Sequence, residues 1–317
     1  MAIIDVFNGD ADGLCALQQL RLAEPADSEL VTGVKRDIAL LRRVDAAAGD
    51  RVTVLDVSLD KNREALLGLL ERGVSVRYFD HHYPGDMPAH AALDCHIETL
   101  PDKGTSLLVD DFLGGAHRAW AVVGTFGDNF DASARRAAAP LGLPAPELER
   151  LRELGILLNY NGYGASVEDL YFPPDALFRR LAPYADPLRF IAADDAFETL
   201  REGYRQDMER ARAMPRELET ASHTMIILPA EAWARRVGGV YANELAQSEP
   251  GRAHAMLTRR DDGGFVVSVR APVSRPQGAD ELCRQFPTGG GRKAAAGINE
   301  LADDALDAFT QAFLKAF

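Results

Sequence analysis

The sequence contains few cysteines and no long apolar run. Only three of its 317 residues are cysteines, and none of them lies at C-x-x-C spacing. Because the number is odd and the spacing wide, Cys15, Cys95 and Cys283 predict neither a disulfide framework nor a zinc knuckle. No stretch approaches the roughly 20 apolar residues that span a bilayer, and the first residues lack the basic region of a signal peptide. These absences predict a cytoplasmic protein without a membrane partner.

The sequence also has a deficit of positive charge. Lysines and arginines number 35 against 48 aspartates and glutamates, which gives a formal net charge of −13. Proteins that bind long nucleic acids usually carry a basic surface. The deficit therefore argues against extended DNA or RNA and favours a short nucleotide held by metals and a few arginines. A homodimer is left open.

Length and hydrophobic pattern predict an α/β fold with two domains, because 317 residues are too many for one comfortable core. Apolar runs at Ile3–Phe7, 52–57 and 74–79 alternate with amphipathic stretches, a pattern typical of βαβ units and a parallel sheet. We expect a parallel-sheet domain over residues 1–190, a helical connector over 191–220 and a smaller α/β domain over 221–317, with a cleft between the domains. Residues 261–264, Asp-Asp-Gly-Gly, predict a hairpin turn in the last domain.

The first motif with chemical content is Asn-Gly-Asp-Ala-Asp-Gly at residues 8–13, between a predicted strand and a predicted helix. The carboxylates of Asp10 and Asp12 are hard oxygen ligands of the kind that magnesium and manganese prefer. Taken alone the motif is also compatible with an ordinary loop in which Asp12 caps the helix.

Further acids and histidines follow other predicted elements. Asp56 ends one strand, Asp80-His81-His82 ends the next, and Asp128 follows an apolar run at 119–123. Carboxyl ends of parallel strands share one edge of a sheet, where ligands bind. Five aspartates gathered there would repel one another strongly without cations. The pattern therefore predicts a site for two divalent ions.

A glycine run near the C-terminus predicts an anion site. Gly289, Gly290, Gly291 and Arg292 precede a run of small residues that we interpret as a helix start, where exposed backbone N–H groups would bind phosphate. Arg270, at the end of a predicted strand over 265–269, could reach the same anion. The alternatives are a flexible loop and a surface arginine.

Taken together and in this order, these elements resemble the DHH phosphoesterase superfamily with its DHH-associated C-terminal domain, in the RecJ-like or oligoribonuclease-like branch. The most specific pieces are Asp80-His81-His82 and the glycine run. The resemblance implies that Asp10 binds one manganese, that Asp12, His81 and Asp128 bind the second, and that Asp56 bridges both.

The resemblance also implies that Asp80 orients His81, that His82 faces the substrate phosphate, and that Arg270 and the glycine run bind the far end of the substrate. Many members have a histidine where Val6 stands, and RecJ-like members have an acid where Asn8 stands. The first metal therefore has a thinner ligand set in this chain. Arg292 replaces a usual histidine and adds a permanent charge.

The expected activity is that of a manganese-dependent phosphodiesterase that hydrolyses linear dinucleotides or very short oligonucleotides, such as 5′-phosphorylated diguanylate, to mononucleotides. Two manganese ions are expected, and magnesium or another divalent ion could replace them. The alternatives are a pyrophosphatase or polyphosphatase and a catalytically dead nucleotide-binding module. Base preference is open.

Overall fold

The computed structural model describes residues 1–317 and divides into two compact units, Met1–Glu202 and Gly203–Phe317. The division falls within one helix, Ala196–Arg212. Each unit contains its own sheet and its own hydrophobic core. None of the helices combines the length and apolar composition that crossing a membrane requires.

The first unit is built on a five-stranded sheet with the order β2-β1-β3-β4-β5, in which every neighbouring pair is parallel. The predicted parallel sheet is therefore confirmed, and its three inner strands are the three predicted from apolar runs. The two outer strands are short or half-exposed and were not predicted. The strands are β1 (Ile3–Phe7), β2 (Glu29–Val31), β3 (Arg51–Leu55), β4 (Ser75–Asp80) and β5 (Leu93–Ile97).

Alternate residues of the inner strands form one face of the core. Val6, Val54 and Tyr78 are fully buried there and pack with apolar residues of the helix that follows β3, including Leu66. Helices cover the rest of the unit. They are α1 (Ala11–Ala23), α2 (Leu59–Glu71), α3 (Thr105–Phe112), α4 (Arg118–Gly127), α5 (Asp131–Ala138), α6 (Ala145–Asn161), α7 (Pro174–Leu181) and α8 (Pro187–Ala193).

Helices α4 and α6 approach each other through two glycines. A Cβ atom on Gly127 would lie 2.2 Å from Ala11 Cβ and 2.7 Å from the carbonyl oxygen of Gly155. A Cβ atom on Gly155 would lie 2.3 Å from the carbonyl oxygen of Val123. Backbone therefore packs directly on backbone at this crossing, and no larger residue fits without moving a helix.

The second unit begins at Gly203 within α9 (Ala196–Arg212) and contains a six-stranded sheet with the order β10-β11-β9-β8-β7-β6. Strands β7 and β8 are parallel and the other pairs are antiparallel. The predicted hairpin over 261–264 joins β8 to β9. The remaining elements are β6 (Arg216–Glu219), β7 (His223–Leu228), α10 (Ala232–Ser248), β8 (Ala253–Arg259), β9 (Phe265–Arg270), α11 (Ala279–Cys283), β10 (Gly289–Gly291), β11 (Ala295–Leu301) and α12 (Leu306–Ala316).

The structure differs from the expected helical connector over 191–220. Helix α9 ends at Arg212, and Arg216–Glu219 forms an edge strand that pairs antiparallel with β7. The sequence Arg-Glu-Leu-Glu is polar and does not itself indicate a strand. Pairing with the apolar strand β7 decides its conformation.

The α4–α6 crossing leads to a stability prediction. Gly127→Ala is expected to destabilise the first unit by roughly 3 kcal/mol, the upper end of the usual range for overpacking, because the new methyl group meets Ala11 and backbone. Gly68→Ala in α2 is the matched control, because its nearest neighbour would be an arginine side-chain nitrogen at 3.6 Å. That variant is expected to gain about 0.5–1 kcal/mol. Urea denaturation measures both, and equal effects of the two substitutions would contradict the close-packing account.

Candidate active site

The carboxyl edge of the first sheet gathers acids and histidines from three neighbouring strands. Asp10 comes shortly after β1, Asp56 directly follows β3, and Asp80 is the last residue of β4, with His81 and His82 next. Since the strands are parallel, these chain positions meet at one edge. Asp10, Asp56 and Asp80 are each at most 2% exposed. The structure thus brings together the strand-end residues that were predicted to meet.

Asp12 and Asp128 join this edge from helices. Asp12 lies in the first turn of α1 and is fully buried, and Asp128 follows the last residue of α4. The Asp128 carboxylate lies 3.6 Å from His81 Nε2. Asp128 therefore joins the cluster from a helix, whose end is positioned by the neighbouring Gly127 contact.

Asp56 has a left-handed backbone conformation with φ of 59°, which aspartate and asparagine tolerate better than other non-glycine residues. Its Oδ1 atom accepts a 3.0 Å hydrogen bond from Thr105 Oγ1 and lies 3.4 Å from His81 Nε2. Burial, and then the charges of Asp10 and Asp12, raise the pKa of Asp56 well above its usual value. The metal-free cluster therefore disfavours the ionised form of this carboxyl.

Asp12 is held by the start of α3. Its carboxylate accepts hydrogen bonds from the backbone N–H groups of Thr105 (2.6 Å) and Ser106 (2.8 Å) and from the Ser106 hydroxyl. The approach requires a glycine before the helix, because a Cβ atom on Gly104 would lie 2.7 Å from Asp12 Oδ2. Thr105 and Ser106 were not predicted as site residues. Their one local signal is that Gly-Thr-Ser is typical of a helix start.

Asp10, and not Asp12, caps α1. Its Oδ1 atom accepts hydrogen bonds from the backbone N–H groups of Asp12 (3.0 Å) and Gly13 (3.1 Å). Burial alone would raise the pKa of Asp10, but the neighbouring Lys35 ammonium outweighs it and the pKa is lowered.

Lys35 is a site residue that the sequence did not predict. Its Nζ atom pairs with Asp10 Oδ2, with Asp128 Oδ1 at 3.2 Å and with Asn159 Oδ1 at 3.0 Å. Burial alone would lower the pKa of Lys35, but Asp10 and Asp128 raise it well above its usual value. Lys35 lies in a loop after β2 without periodic pattern, so nothing local marked it.

The structure corrects the role expected for Asp80. Its Oδ1 atom lies 2.7 Å from His82 Nδ1 and accepts a 2.9 Å hydrogen bond from the backbone N–H of His81. Asp80 therefore orients the ring of His82 and touches His81 only through the backbone. Burial lowers the pKa of His82, but Asp80 and Asp56 outweigh it and raise the pKa to about 9. The side chain of His82 is 46% exposed, which makes it the most accessible of the clustered groups.

The donor set fits a divalent cation. Ligand atoms of Asp12, His81 and Asp128 lie within 4.8 Å of one another, and so do those of Asp56, His81 and His82. Carboxylate oxygens with one or two imidazole nitrogens suit magnesium, manganese or zinc. A cation held here would also offset the repulsion that raises the pKa of Asp56.

The glycine run in the second unit does not begin a helix, which corrects the expectation. Gly289–Gly291 forms strand β10, which pairs antiparallel with β11 and leaves Arg292 exposed at the hairpin tip. A close fit requires glycine at the start of this strand, because a Cβ atom on Gly289 would lie 1.8 Å from the carbonyl oxygen of Cys283. No helix N-terminus is therefore available to an anion at this run.

Arg270 ends β9, and its Cα pairs in register with Ala295 at the start of β11. Its Nε donates a 2.7 Å hydrogen bond to Asn243 Oδ1 on α10, and its Nη2 donates to the carbonyl oxygen of Gly239. The structure thus places Arg270 at the same end of the sheet as the glycine hairpin (Gly289–Leu301), in the second unit.

Comparison with protein-family models gives no match, and comparison with curated proteins gives none either. Solved structures do match along almost the whole chain. Exonuclease RecJ bound to manganese superposes with a TM-score of 0.65 at 20% identity, covering 99% of this chain and 90% of that one. The DHH domain of a member of the s1p family of ribosomal proteins gives 0.68 at 13% identity, with 99% and 86% covered.

A third match is the pGpG-specific phosphodiesterase PggH from Vibrio cholerae, with a TM-score of 0.56 at 14% identity, covering 99% of this chain and 98% of that one. These likenesses define a two-unit α/β fold with a parallel first sheet. It is the fold of the RecJ exonuclease and DHH-domain structures, which confirms the predicted fold class.

The raised pKa of Asp56 leads to a pH-dependent prediction. A carboxyl whose pKa is raised by folding stabilises the fold only while protonated, so the contribution of Asp56 to the stability of the metal-free protein is expected to fall as pH rises above about 4. Asp56→Asn replaces the ionisable carboxyl with a neutral amide and keeps a residue that tolerates positive φ. At pH 7 without metal we expect this variant to be about 1–2 kcal/mol more stable than the wild type.

With manganese, the wild type should become more stable than Asp56→Asn, because the ion stabilises only a protein whose ligands are intact. At a manganese concentration of a hundred times the dissociation constant, the wild type gains about 2.7 kcal/mol of stability. Thermal melting from pH 4 to 8, with chelator and with manganese, measures both effects. Asp45→Asn, at an exposed aspartate of the same unit, is the control. If Asp56→Asn is less stable than the wild type at pH 7 in chelator, the account of repulsion is wrong.

Proposed function

We propose that this protein is a cytoplasmic, divalent-metal-dependent phosphodiesterase, with manganese as the preferred ion. The observation that supports it best is the cluster of Asp10, Asp12, Asp56, His81 and Asp128 at the carboxyl edge of a parallel sheet. The fold itself does not need so many buried carboxylates, and a buried cluster of this kind is typical of a cation site. A divalent ion held there supplies Lewis-acid charge for phosphoryl chemistry.

His82 is proposed to act on the substrate phosphate. Its contact with Asp80 holds the ring in one orientation, and its half-exposed position leaves it open to a ligand. In the metal-free protein the carboxylates of Asp80 and Asp56 outweigh burial and favour the protonated ring, and a protonated ring at this position can donate a hydrogen bond to a phosphoryl oxygen and a proton to a leaving oxygen.

The proposed substrates are linear dinucleotides and very short oligonucleotides, such as 5′-phosphorylated diguanylate, with mononucleotides as products. The net charge of −13 disfavours long nucleic acids. In the second unit, Arg270 and the hairpin that carries Arg292 offer positive charge for the far phosphate or base. The likeness to a pGpG-specific phosphodiesterase gives further support.

An assay of substrate length tests the proposal. The protein is incubated with manganese and with 5′-phosphorylated diguanylate, RNA 2- to 10-mers, cyclic dinucleotides and polyphosphate, and products are identified by mass. We expect mononucleotides from dinucleotides, rates that fall with length, and no turnover in chelator. Asp12→Asn is expected to lose about 1,000-fold in rate, because it removes a ligand of the cation. No mononucleotide from any oligonucleotide would contradict the proposal, and phosphate release from polyphosphate alone would favour a polyphosphatase.

Arg270 is expected to contribute binding energy for the substrate. Loss of a charge-assisted hydrogen bond costs about 1.5–3 kcal/mol, so Arg270→Ala should raise KM for the dinucleotide by about 10- to 100-fold with a smaller change in kcat. Arg260→Ala is the matched control, because Arg260 lies in the same unit and pairs with Asp262 and Glu300. Steady-state kinetics measure both, and an equal KM for Arg270→Ala and wild type would rule out this role.

A further inference from the structure

The Lys35 ammonium lies where a cation is expected. It has three N–H donors and three oxygen acceptors: Asp10 Oδ2, Asp128 Oδ1 at 3.2 Å and Asn159 Oδ1 at 3.0 Å. Each donor therefore has a partner. Two of the three acceptors are carboxylates that the sequence assigned to metal ions.

The position of Lys35 is built by the backbone on both sides. Its N–H donates a 2.8 Å hydrogen bond to the carbonyl oxygen of Gly162, and its carbonyl oxygen accepts a 3.4 Å hydrogen bond from Asn8 Nδ2. The side chain is 23% exposed, and Nζ lies 5.7 Å from the centre of the Tyr163 ring, within the range of a cation–π contact. Asn8 therefore supports the lysine through an amide donor that an acid at this position would lack.

Lys35 leaves Asp10 with no simple role as a metal ligand. Asp10 Oδ1 caps α1, and Asp10 Oδ2 pairs with the ammonium. Neither group of ligand atoms close enough to share a cation includes Asp10. An ion bound to Asp10 would have to displace the lysine or lie against a second positive charge.

The two groups that do fit a cation both depend on His81. Its Nε2 atom lies 3.4 Å from Asp56 Oδ1 and 3.6 Å from Asp128 Oδ2. An imidazole nitrogen has one lone pair and binds one ion. The two groups share this one nitrogen, so it can bind an ion together with Asp12 and Asp128 or together with Asp56 and His82, but not both ions at once.

We propose that the Lys35 ammonium takes the place of the first divalent ion, so that the site holds one metal ion and one lysine. This inference rests on the metal site of the proposed function and specifies what that site holds. One ion and a fixed ammonium supply the positive charge for which two ions were expected from the sequence. The resemblance led us to expect metal ligands at the positions of Val6 and Asn8. The apolar Val6 and the uncharged Asn8 found there agree with a first site that binds no metal.

Manganese stoichiometry tests the inference. Calorimetric titration of the wild type at neutral pH is expected to give one manganese per chain, and its electron paramagnetic resonance spectrum is expected to show an isolated ion without spin coupling. Lys35→Ala frees three oxygens that surrounded the ammonium, so it should bind a second ion and show the coupled spectrum of a manganese pair. Lys35→Arg keeps the charge and should bind one ion.

Lys103→Ala is the matched control, because Lys103 has a similarly enclosed side chain and also pairs with two acids, Glu98 and Asp111. It should bind one ion like the wild type. Two ions with a coupled spectrum in the wild type would overturn the inference even if Lys35→Ala failed to fold. The count is independent of turnover: one ion without hydrolysis would contradict the proposed function alone, and two ions with hydrolysis would contradict the lysine inference alone.

Discussion

The site depends on one constraint: negatively charged carboxylates are buried together at the carboxyl edge of the first sheet, and their mutual repulsion has to be offset. Two carboxylates 4 Å apart repel each other by about 4 kcal/mol at the effective dielectric of a protein surface. The fold offsets this repulsion with groups from several elements. Backbone N–H groups of α1 and α3 bind Asp10 and Asp12, and Lys35 pairs with Asp10 and Asp128. His81 beside Asp56 completes the set, where a divalent cation fits best.

The inner strands of the first sheet could be predicted because each is marked by a local sequence pattern. Strands β1, β3 and β4 are continuous apolar runs, and their parallel order places the residues after them at one edge. Five aspartates and two histidines were predicted to meet for that reason, and all seven lie at this edge in the structure. The outer strands β2 and β5 are half-exposed, so pairing with the inner strands, more than their own sequence, decides them.

The rest of the site could not be predicted because tertiary packing positions it. Lys35 lies in a loop, and Asn159 near the end of α6 reaches it because the Gly127–Gly155 contact lets α4 and α6 approach closely. That contact lies directly before Asp128, so two glycines far apart in sequence determine where a site carboxylate lies. Thr105 and Ser106 likewise reach Asp12 only because Gly104 has no side chain there.

The three glycines of the run Gly289–Gly291 differ in why glycine is required at their position. Gly289 is required because a side chain would collide with the carbonyl oxygen of Cys283, and Gly291 because its φ of 140° excludes other residues. Gly290 has neither reason, since an added Cβ atom would meet nothing within 4 Å. A glycine in a strand costs about 0.5–1 kcal/mol relative to alanine, so packing within the chain does not account for Gly290. Glycine in a strand often marks close approach of another backbone or a ligand, which supports the proposed substrate role of this hairpin without the helix N-terminus that the sequence pattern predicted.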